Sequence, residues 1–503
     1  MMYGEEKSDS LIVAANLANN PQGAESVERR SGAKGNAEQP HMRRTQSRES
    51  MSQRLSRVRE AAKQRKKERF TALFHLLTAE ALENAFLSLS RKAAAGVDGV
   101  RWKDYAENLK VNIADLHRRL HQGSYRAQPG RRHYIPKADG KQRPLGIASL
   151  EDKIVQYALV KILNAVYEND FMGFSYGFRP GRSQHNALDA LATGLVRTNV
   201  NWVLDADISQ FFDKVSHEWL IRFIEHRIGD QRVIRLIRKW LTAGTSEEGE
   251  WRASEEGEWR ASEEGTPQGA VISPLLANIY LHYVFDLWAH QWRRRHATGN
   301  VVMVRYADDI VIGFDKRIDA QCFRIAMQRR LKEFGLTVHP KKTRLTEFGR
   351  FAAENRASRG KGKPETFNFL GFTHISGKDR SGRFMLIRKT RRDRMTATLK
   401  AIKDGLRKRW HYSIPEQRKW LRRVVQGYLN YHSVPGNYPM MRKFRIYVTD
   451  LWRRALRRRS QQDDTTWTKA NRLAAVWLPK VRVLHPWPVE RFTARHPRQE
   501  PGA

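Results

Sequence analysis

Apolar and polar residues along this chain follow two periods. Trp202-Val203-Leu204-Asp205-Ala206-Asp207-Ile208 lies in a strand predicted over residues 201–208. Val301-Val302-Met303-Val304 and Ile310-Val311-Ile312 form the predicted arms of a β-hairpin. Residues 131–147 predict a second hairpin, turning at Asp139-Gly140. Elsewhere the helical period dominates. A basic helical pattern begins at Met51, with Leu55, Val58 and Ala62 on one face, and continues through 70–89 until the loop Gly96-Val97-Asp98-Gly99. Further helices are predicted over 150–167, 184–197, 217–243 and 320–334, and residues 265–280 open as a loop and enter a helix. Residues 360–363 predict a flexible basic linker. Beyond about residue 388 the pattern is mostly helical and strongly basic; from Pro479 it becomes Pro/His/Trp-rich and irregular.

Composition narrows the partners. The 503 residues include 92 Lys and Arg against 53 Asp and Glu, a formal charge of +39, which suits a polyanion such as nucleic acid. The basic segments also carry 14 Trp, 15 Tyr and 21 Phe, as expected of a groove that follows phosphates and stacks bases. The length suggests about three domains. A single cysteine, Cys322, excludes an internal disulfide or a Cys-based zinc site. No stretch is apolar enough for a signal-peptide core or a bilayer span, so an intracellular, cytoplasmic protein with no membrane partner is expected. Residues 1–50 have a disordered composition, and their Pro21-Gln22-Gly23 has no strand or helix context. Ser246-Glu247-Glu248-Gly249-Glu250-Trp251-Arg252-Ala253 recurs at 254–261 and begins again at 262–265, a recent duplication in a loop rather than a solenoid.

Candidate chemistry lies in the acidic strands. Tyr306-Ala307-Asp308-Asp309 puts two carboxylates side by side at a hairpin tip, where they repel unless a cation intervenes. Mg²⁺ takes hard oxygen ligands of this kind; a solvated Asp-Asp turn is the plain alternative. Strand alternation puts Asp205 and Asp207 on one face. In one sheet with the hairpin, that face would gather three carboxylates around two metal ions about 4 Å apart, a clamp for phosphoryl transfer. Two acidic strands folding apart is the alternative there.

The motifs, in order, resemble a group II intron reverse transcriptase/maturase of the endonuclease-lacking bacterial type. The resemblance runs from about Lys92 to the C-terminus. Its blocks are Ile135-Pro136-Lys137 through Arg143-Pro144-Leu145-Gly146-Ile147; Tyr176-Gly177-Phe178-Arg179-Pro180-Gly181-Arg182-Ser183; Asp207-Ile208 with Phe211-Phe212-Asp213; Gly265-Thr266-Pro267-Gln268-Gly269 with Ser273-Pro274-Leu275-Leu276-Ala277-Asn278; Tyr306-Ala307-Asp308-Asp309; Lys341-Lys342-Thr343; and Phe369-Leu370-Gly371-Phe372.

This resemblance implies an α+β right-hand polymerase: fingers, a palm with an antiparallel sheet, a helical thumb and a basic C-terminal helical domain. The expected boundaries are a disordered extension at 1–50, N-terminal extension and fingers at 51–200, palm at 201–378, thumb or maturase domain at 379–459, and a short DNA-binding tail at 460–503. The resemblance makes Asp207, rather than Asp205, the partner of Asp308 and Asp309 as catalytic residues. It implies two Mg²⁺ (Mn²⁺ as substitute) at Asp207, Ile208, Asp308 and Asp309. Phe212, five positions after Asp207, would lie beneath the incoming sugar and exclude a 2′-hydroxyl; a core aromatic is the alternative. Lys137 and Arg143 would grip the triphosphate, Gln268 would position sugar and base, and Lys342 would approach the pyrophosphate. Phe369 to Phe372 would form the primer grip, and Gly427-Tyr428-Leu429-Asn430-Tyr431 marks the thumb. Trp410, Trp420, Arg422, Arg423 and Trp452 are expected to divide between thumb core and an RNA-facing side. The paired cysteines of the larger relatives' nuclease are not present, which argues against target-DNA cleavage by this protein. Expected partners are group II intron RNA, an RNA template with DNA primer, target DNA and dNTPs, with nucleoid association on target DNA. The Glu-rich duplication is expected to add negative charge beside the nucleotide site. Competing expectations are an RNA-binding maturase with impaired polymerase, which the intact acidic triad disfavours, and a domesticated reverse transcriptase in phage defence or diversity generation. Ser273-Pro274 and the maturase-like C-terminal region disfavour the latter.

Overall fold

The computed structural model describes residues 50–136, 142–246, 264–266, 269–459 and 465–495. Among these, the strands in chain order are β1 (Gly130–Pro136), β2 (Gln142–Ile147), β3 (Trp202–Asp207), β4 (Thr245–Ser246) and β5 (Val301–Tyr306). They continue with β6 (Asp309–Phe314), β7 (Arg344–Glu347), β8 (Thr366–Phe369), β9 (Phe372–Lys378) and β10 (Phe384–Thr390). Three sheets form, ordered β2-β1-β4, β5-β6-β3-β7 and β10-β9-β8. The architecture is helix plus mainly antiparallel sheet, in line with the α+β expectation; among the described strands only the short β4 runs parallel to its neighbour. No helix among the described residues is long and apolar enough to cross a membrane.

The central four-stranded sheet positions the acidic residues. β5 is buried from Val301 to Arg305 and β6 from Ile310 to Phe314, because helices cover the sheet. The Gln184–Arg197 helix packs on β5. The Arg317–Glu333 helix packs on β3 and β6, its Phe323 ring 5.5 Å from that of Phe314. Capping side chains fix the helix starts. Ser149 caps Leu150–Tyr167, and Ser183 with Asn186 forms a capping box for Gln184–Arg197, so both helices keep their predicted bounds.

Two predicted helices are shorter, and one residue explains both. The segment 217–243 is two helices, His217–Glu225 and Gln231–Thr242, separated at Gly229-Asp230. One carboxylate oxygen of Asp230 caps the second helix at Arg232 N; the other accepts Leu73 N and Phe74 N, both at 2.8 Å. That contact draws residues 70–77 out of the predicted helix. Phe70 bridges Ile228, Phe74–Leu76 is one 3-10 turn, and the α-helix runs only over Ala79–Ser88 behind the Thr78 cap.

The C-terminal third builds its own core. Helices Arg392–Arg407, Ile414–His432, Tyr438–Arg457 and Trp467–Trp477 enclose Ile402, Leu421, Val425, Phe444, Val448 and Trp452. Two expectations are corrected here. Arg388 does not start a helix: it lies buried in β10, 3.6 Å from Asp189. Residues after Pro479 are not irregular throughout, since Pro488–Arg495 is a helix with proline at its first position. This helix packs against Gln184–Arg197, where Phe492 joins the main core and Arg491 pairs with Asp189. His485 Nε2 meets Asn430 O at 2.7 Å, so the final described segment ties the helical bundle to the sheet region.

Candidate active site

The hairpin between β5 and β6 turns through Ala307 and Asp308 alone, with Ala307 in the left-handed region at φ 57°. β3 runs antiparallel beside β6, and Asp207 lies opposite Asp309. Residues 205 and 207 share a face with 309 because cross-strand partners point the same way. On the other side of β3, Arg344 lies opposite Asp205. A cavity of about 1000 Å³ opens over this face, lined by all four aspartates together with Phe178, Gln184, Phe212, Tyr306, Arg391 and Tyr431, among others. The hairpin and strand that the sequence placed in one sheet are brought together.

Electrostatics at the cavity floor are those of crowded carboxylates. Burial, then the charges of Asp308 and Asp207, push Asp309 up to about 6. Burial, then Asp309 and Asp207, push Asp205 up to about 7, against the pull of Arg344 and Arg391. Lys342 Nζ pairs with Asp207 Oδ2 at 2.7 Å. Among the described residues no three His, Cys, Asp or Glu side chains are drawn together tightly enough to enclose a metal ion. The expected convergence is thus one of strand register and shared cavity, not of a closed ligand shell. A divalent cation fits this donor set chemically: hard carboxylate oxygens whose mutual repulsion it would relieve.

Asp205 yields a stability prediction. Its folded pKa is raised, so across about pH 4 to 7 the folded protein keeps a proton that the unfolded chain releases. The contribution of this group to stability therefore falls as pH rises through that window. Burial lowers the pKa values of His185, His282, His374 and His432, which oppose this trend. The difference between variant and wild type reports Asp205 together with its coupling to Asp309, whose raised pKa acts in the same direction. Asp205→Asn is expected to melt above wild type at pH 8 in metal-free buffer, with the gap closing toward pH 4. A constant gap in calorimetric scans contradicts the assignment.

The remaining expected site residues distribute as follows. Phe212 is half-buried on the Phe211–Asp213 turn and lines the cavity, whereas Phe211 faces the core. Ile208 is buried and bridges Val338, and His339 N donates to Asp207 O at 2.7 Å. Lys342 stands at the aspartates themselves. Arg143 lies on β2 opposite Ile135, its side chain outside the described residues. Lys137, Gln268 and most of the duplicated loop also lie outside them, as do the N-terminal segment and its Pro21-Gln22-Gly23. The flanks of Gln268 are pinned: Thr266 N donates to Phe212 O, Val271 N to Gln156 Oε1, and Gly269 packs on Gly146 O. At the β8–β9 hairpin Phe369 and Phe372 are buried, while Leu370-Gly371 forms the turn and faces the cavity. Tyr431 Oη donates to Leu370 O at 2.8 Å, whereas Tyr428 stacks on Phe444 within the helical core. Trp452 is core; Arg422 and Arg423 are exposed.

Sequence reasoning missed several lining residues, among them Phe178, Gln184, Tyr306, Arg391, Arg394 and Tyr431. Phe178, Tyr306 and Tyr431 stood inside quoted motifs without a role. Backbone strain is the signal that unites the site. Among the described residues the non-glycine positions with positive φ are Phe178, Gln210, Ala307 and Leu370. Three of them line this cavity and the fourth leads into the Phe212 turn, and such strain concentrates at functional sites.

Comparison with known proteins agrees with this geometry. Residues 135–374 match the family model for reverse transcriptase (RNA-dependent DNA polymerase). The chain is similar to Protein YkfC of Escherichia coli (strain K12), 41% identical over 214 residues, 42% of this chain and 54% of the relative. It is also similar to the group II intron-encoded protein LtrA of Lactococcus lactis subsp. cremoris, 36% identical over 231 residues, 45% of this chain and 37% of the relative. A third relative is the nuclear intron maturase 2, mitochondrial, of Arabidopsis thaliana, 32% identical over 91 residues, 18% of this chain and 12% of the relative. The chain spans about half the length of the first of these and less of the others. Residues 135–374 thus resemble the reverse transcriptase family, in a chain similar over part of its length to a group II intron-encoded protein.

Proposed function

We propose that this protein is an RNA-directed DNA polymerase of a group II intron, which also assists splicing of the intron RNA and its retrohoming by target-primed reverse transcription. The observation that carries the reading is the register of Asp207 against Asp309, with Asp308 at the adjoining turn, under a cavity walled by Phe212. In this reading an N-terminal extension and the fingers occupy 51–200, the palm 201–378, the thumb or maturase domain 379–459, and a short DNA-binding tail 460–503. Asp207, Asp308 and Asp309, with Ile208 beside them, hold two Mg²⁺, for which Mn²⁺ substitutes. Bound there, the ions supply activation of the primer 3′-hydroxyl and charge stabilisation at the α-phosphate.

The protein's own groups do the remaining work. Lys137 and Arg143 bind the triphosphate, Arg through its planar fork. Gln268 orients the nucleotide. Lys342 is close enough to Asp207 to neutralise it before nucleotide enters, and then serves the departing pyrophosphate. Leu370-Gly371, braced by Tyr431, supports the primer end. In splicing, the RNA performs its own chemistry and the basic surface supplies binding energy by neutralising close-packed phosphates.

Two measurements bear on this. Primer extension on an RNA template should proceed with dNTPs and Mg²⁺ and stop on chelation; extension indifferent to chelation, or none under any divalent ion, contradicts the polymerase. Phe212→Val should raise rNTP incorporation several-fold by opening space for the 2′-hydroxyl. Unchanged sugar discrimination in single-nucleotide assays would make Phe212 a wall residue only.

A further inference from the structure

Behind the aspartate tip sits a guanidinium with no exposure to solvent. Arg305, near the end of β5, donates Nε to Asp286 Oδ1 (2.7 Å) and Nη2 to Asp286 Oδ2 (2.6 Å). Nη2 also donates to Ser175 Oγ (2.7 Å), and Nη1 to Asn278 Oδ1 (3.2 Å) and to Ala307 O (3.0 Å). These bonds use all the N–H donors of the fork. The Ala307 carbonyl belongs to the strained residue of the turn, immediately before Asp308. Asn278 is itself anchored, its Nδ2 donating to Gly177 O at 2.7 Å. Gly177 lies flat against the tip: a Cβ there would overlap the Ala307 amide nitrogen. Backbone bonds complete the clamp, Arg305 N to Phe174 O (2.9 Å) and Tyr176 N to Arg305 O (2.8 Å).

We propose that Arg305 is a positioning residue for the aspartate tip, holding Ala307 in its left-handed conformation and so fixing where Asp308 and Asp309 present their carboxylates. The proposal rests on the reading of those aspartates as the ion-binding residues. It gives roles to residues of two motif segments that the nucleotide chemistry leaves idle: Tyr176 N donates to the Arg305 backbone carbonyl, and Gly177 O holds Asn278, whose amide oxygen accepts from the guanidinium. An ion pair that merely stabilised the fold would be complete with Asp286. The bonds to Ser175, Asn278 and Ala307 O are additional, and the one to Ala307 O reaches the turn itself. Lysine keeps the charge beside Asp286 but cannot reproduce the fork, and Asn278→Ala leaves the ion pair whole while removing its brace.

The test compares wild type, Arg305→Lys, Asn278→Ala and a control, Phe323→Leu, which loosens the core of the same sheet away from the tip. Thermal melting, Mn²⁺ affinity by electron paramagnetic resonance, and single-nucleotide kinetics against Mg²⁺ are measured on each full chain. Both site variants should bind Mn²⁺ at least tenfold more weakly. Their synthesis should recover toward the wild-type kcat at high Mg²⁺, with nucleotide KM nearly unchanged. Phe323→Leu should lower Tm without changing the ion requirement. Should Arg305→Lys not fold, Asn278→Ala carries the test alone. Lowered Tm with unchanged Mn²⁺ affinity in Asn278→Ala overturns the proposal. A wild type that binds Mn²⁺ but makes no DNA removes the polymerase reading and leaves the positioning role standing on the affinity difference. A wild type that does not bind Mn²⁺ removes both.

Discussion

Asp308→Asn is expected to abolish RNA-templated DNA synthesis, with a loss of about 10³-fold or more, while the folded protein still binds RNA. Asp308 occupies the hairpin turn and lines the cavity beside Asp309 and Asp207, so the substitution removes charge where the ions would bind and leaves the strands paired. Ion-borne stabilisation of a phosphoryl transition state amounts to several kcal/mol, and each ~1.4 kcal/mol is tenfold in rate. Asparagine is nearly isosteric, and relief of carboxylate repulsion should keep Tm at or above wild type in metal-free buffer. Splicing assistance, which needs only the RNA-binding surface, should survive. Loss of both activities at equal Tm would contradict the separation of roles.

RNA affinity is expected to fall by about 10³ to 10⁵ between roughly 50 and 200 mM salt, as for proteins that neutralise six to ten phosphates. The formal charge of +39 is the source of this dependence. The helical third contributes exposed arginines such as Arg422 and Arg423, whereas Trp452 and Tyr428 are committed to its core. Charge-removing substitutions at Arg422 and Arg423 should therefore reduce the slope of log affinity against log salt by nearly one unit each. An affinity that barely responds to salt in filter-binding titrations would contradict a phosphate-tracking surface.

The acidic strands were legible because alternation and hairpin pattern are local signals. They predicted both β3 and the β5–β6 hairpin, and the resulting register pairs Asp207 with Asp309. Less legible were the places where a long-range contact overrides a local period. Asp230 breaks one predicted helix and unwinds the start of another by accepting amides more than 150 residues away in sequence. Buried cations were the other failure. Arg305 and Arg388 resemble surface charges in sequence, and only their distant partners, Asp286 and Asp189, account for their burial. The Pro488–Arg495 helix was hidden for a similar reason. Its eight residues are short for a helix standing alone, and packing against Gln184–Arg197 supports it.

The account stands on the aspartates at 207, 308 and 309 sharing divalent ions. Calorimetric titration of Mg²⁺ into the protein with a paired RNA template, DNA primer and incoming nucleotide tests this most directly. Two ions taken up per complex, with uptake lost in Asp308→Asn, is the predicted result. No uptake beyond that of the nucleic acid and nucleotide alone, or uptake unaffected by Asp308→Asn, would contradict it.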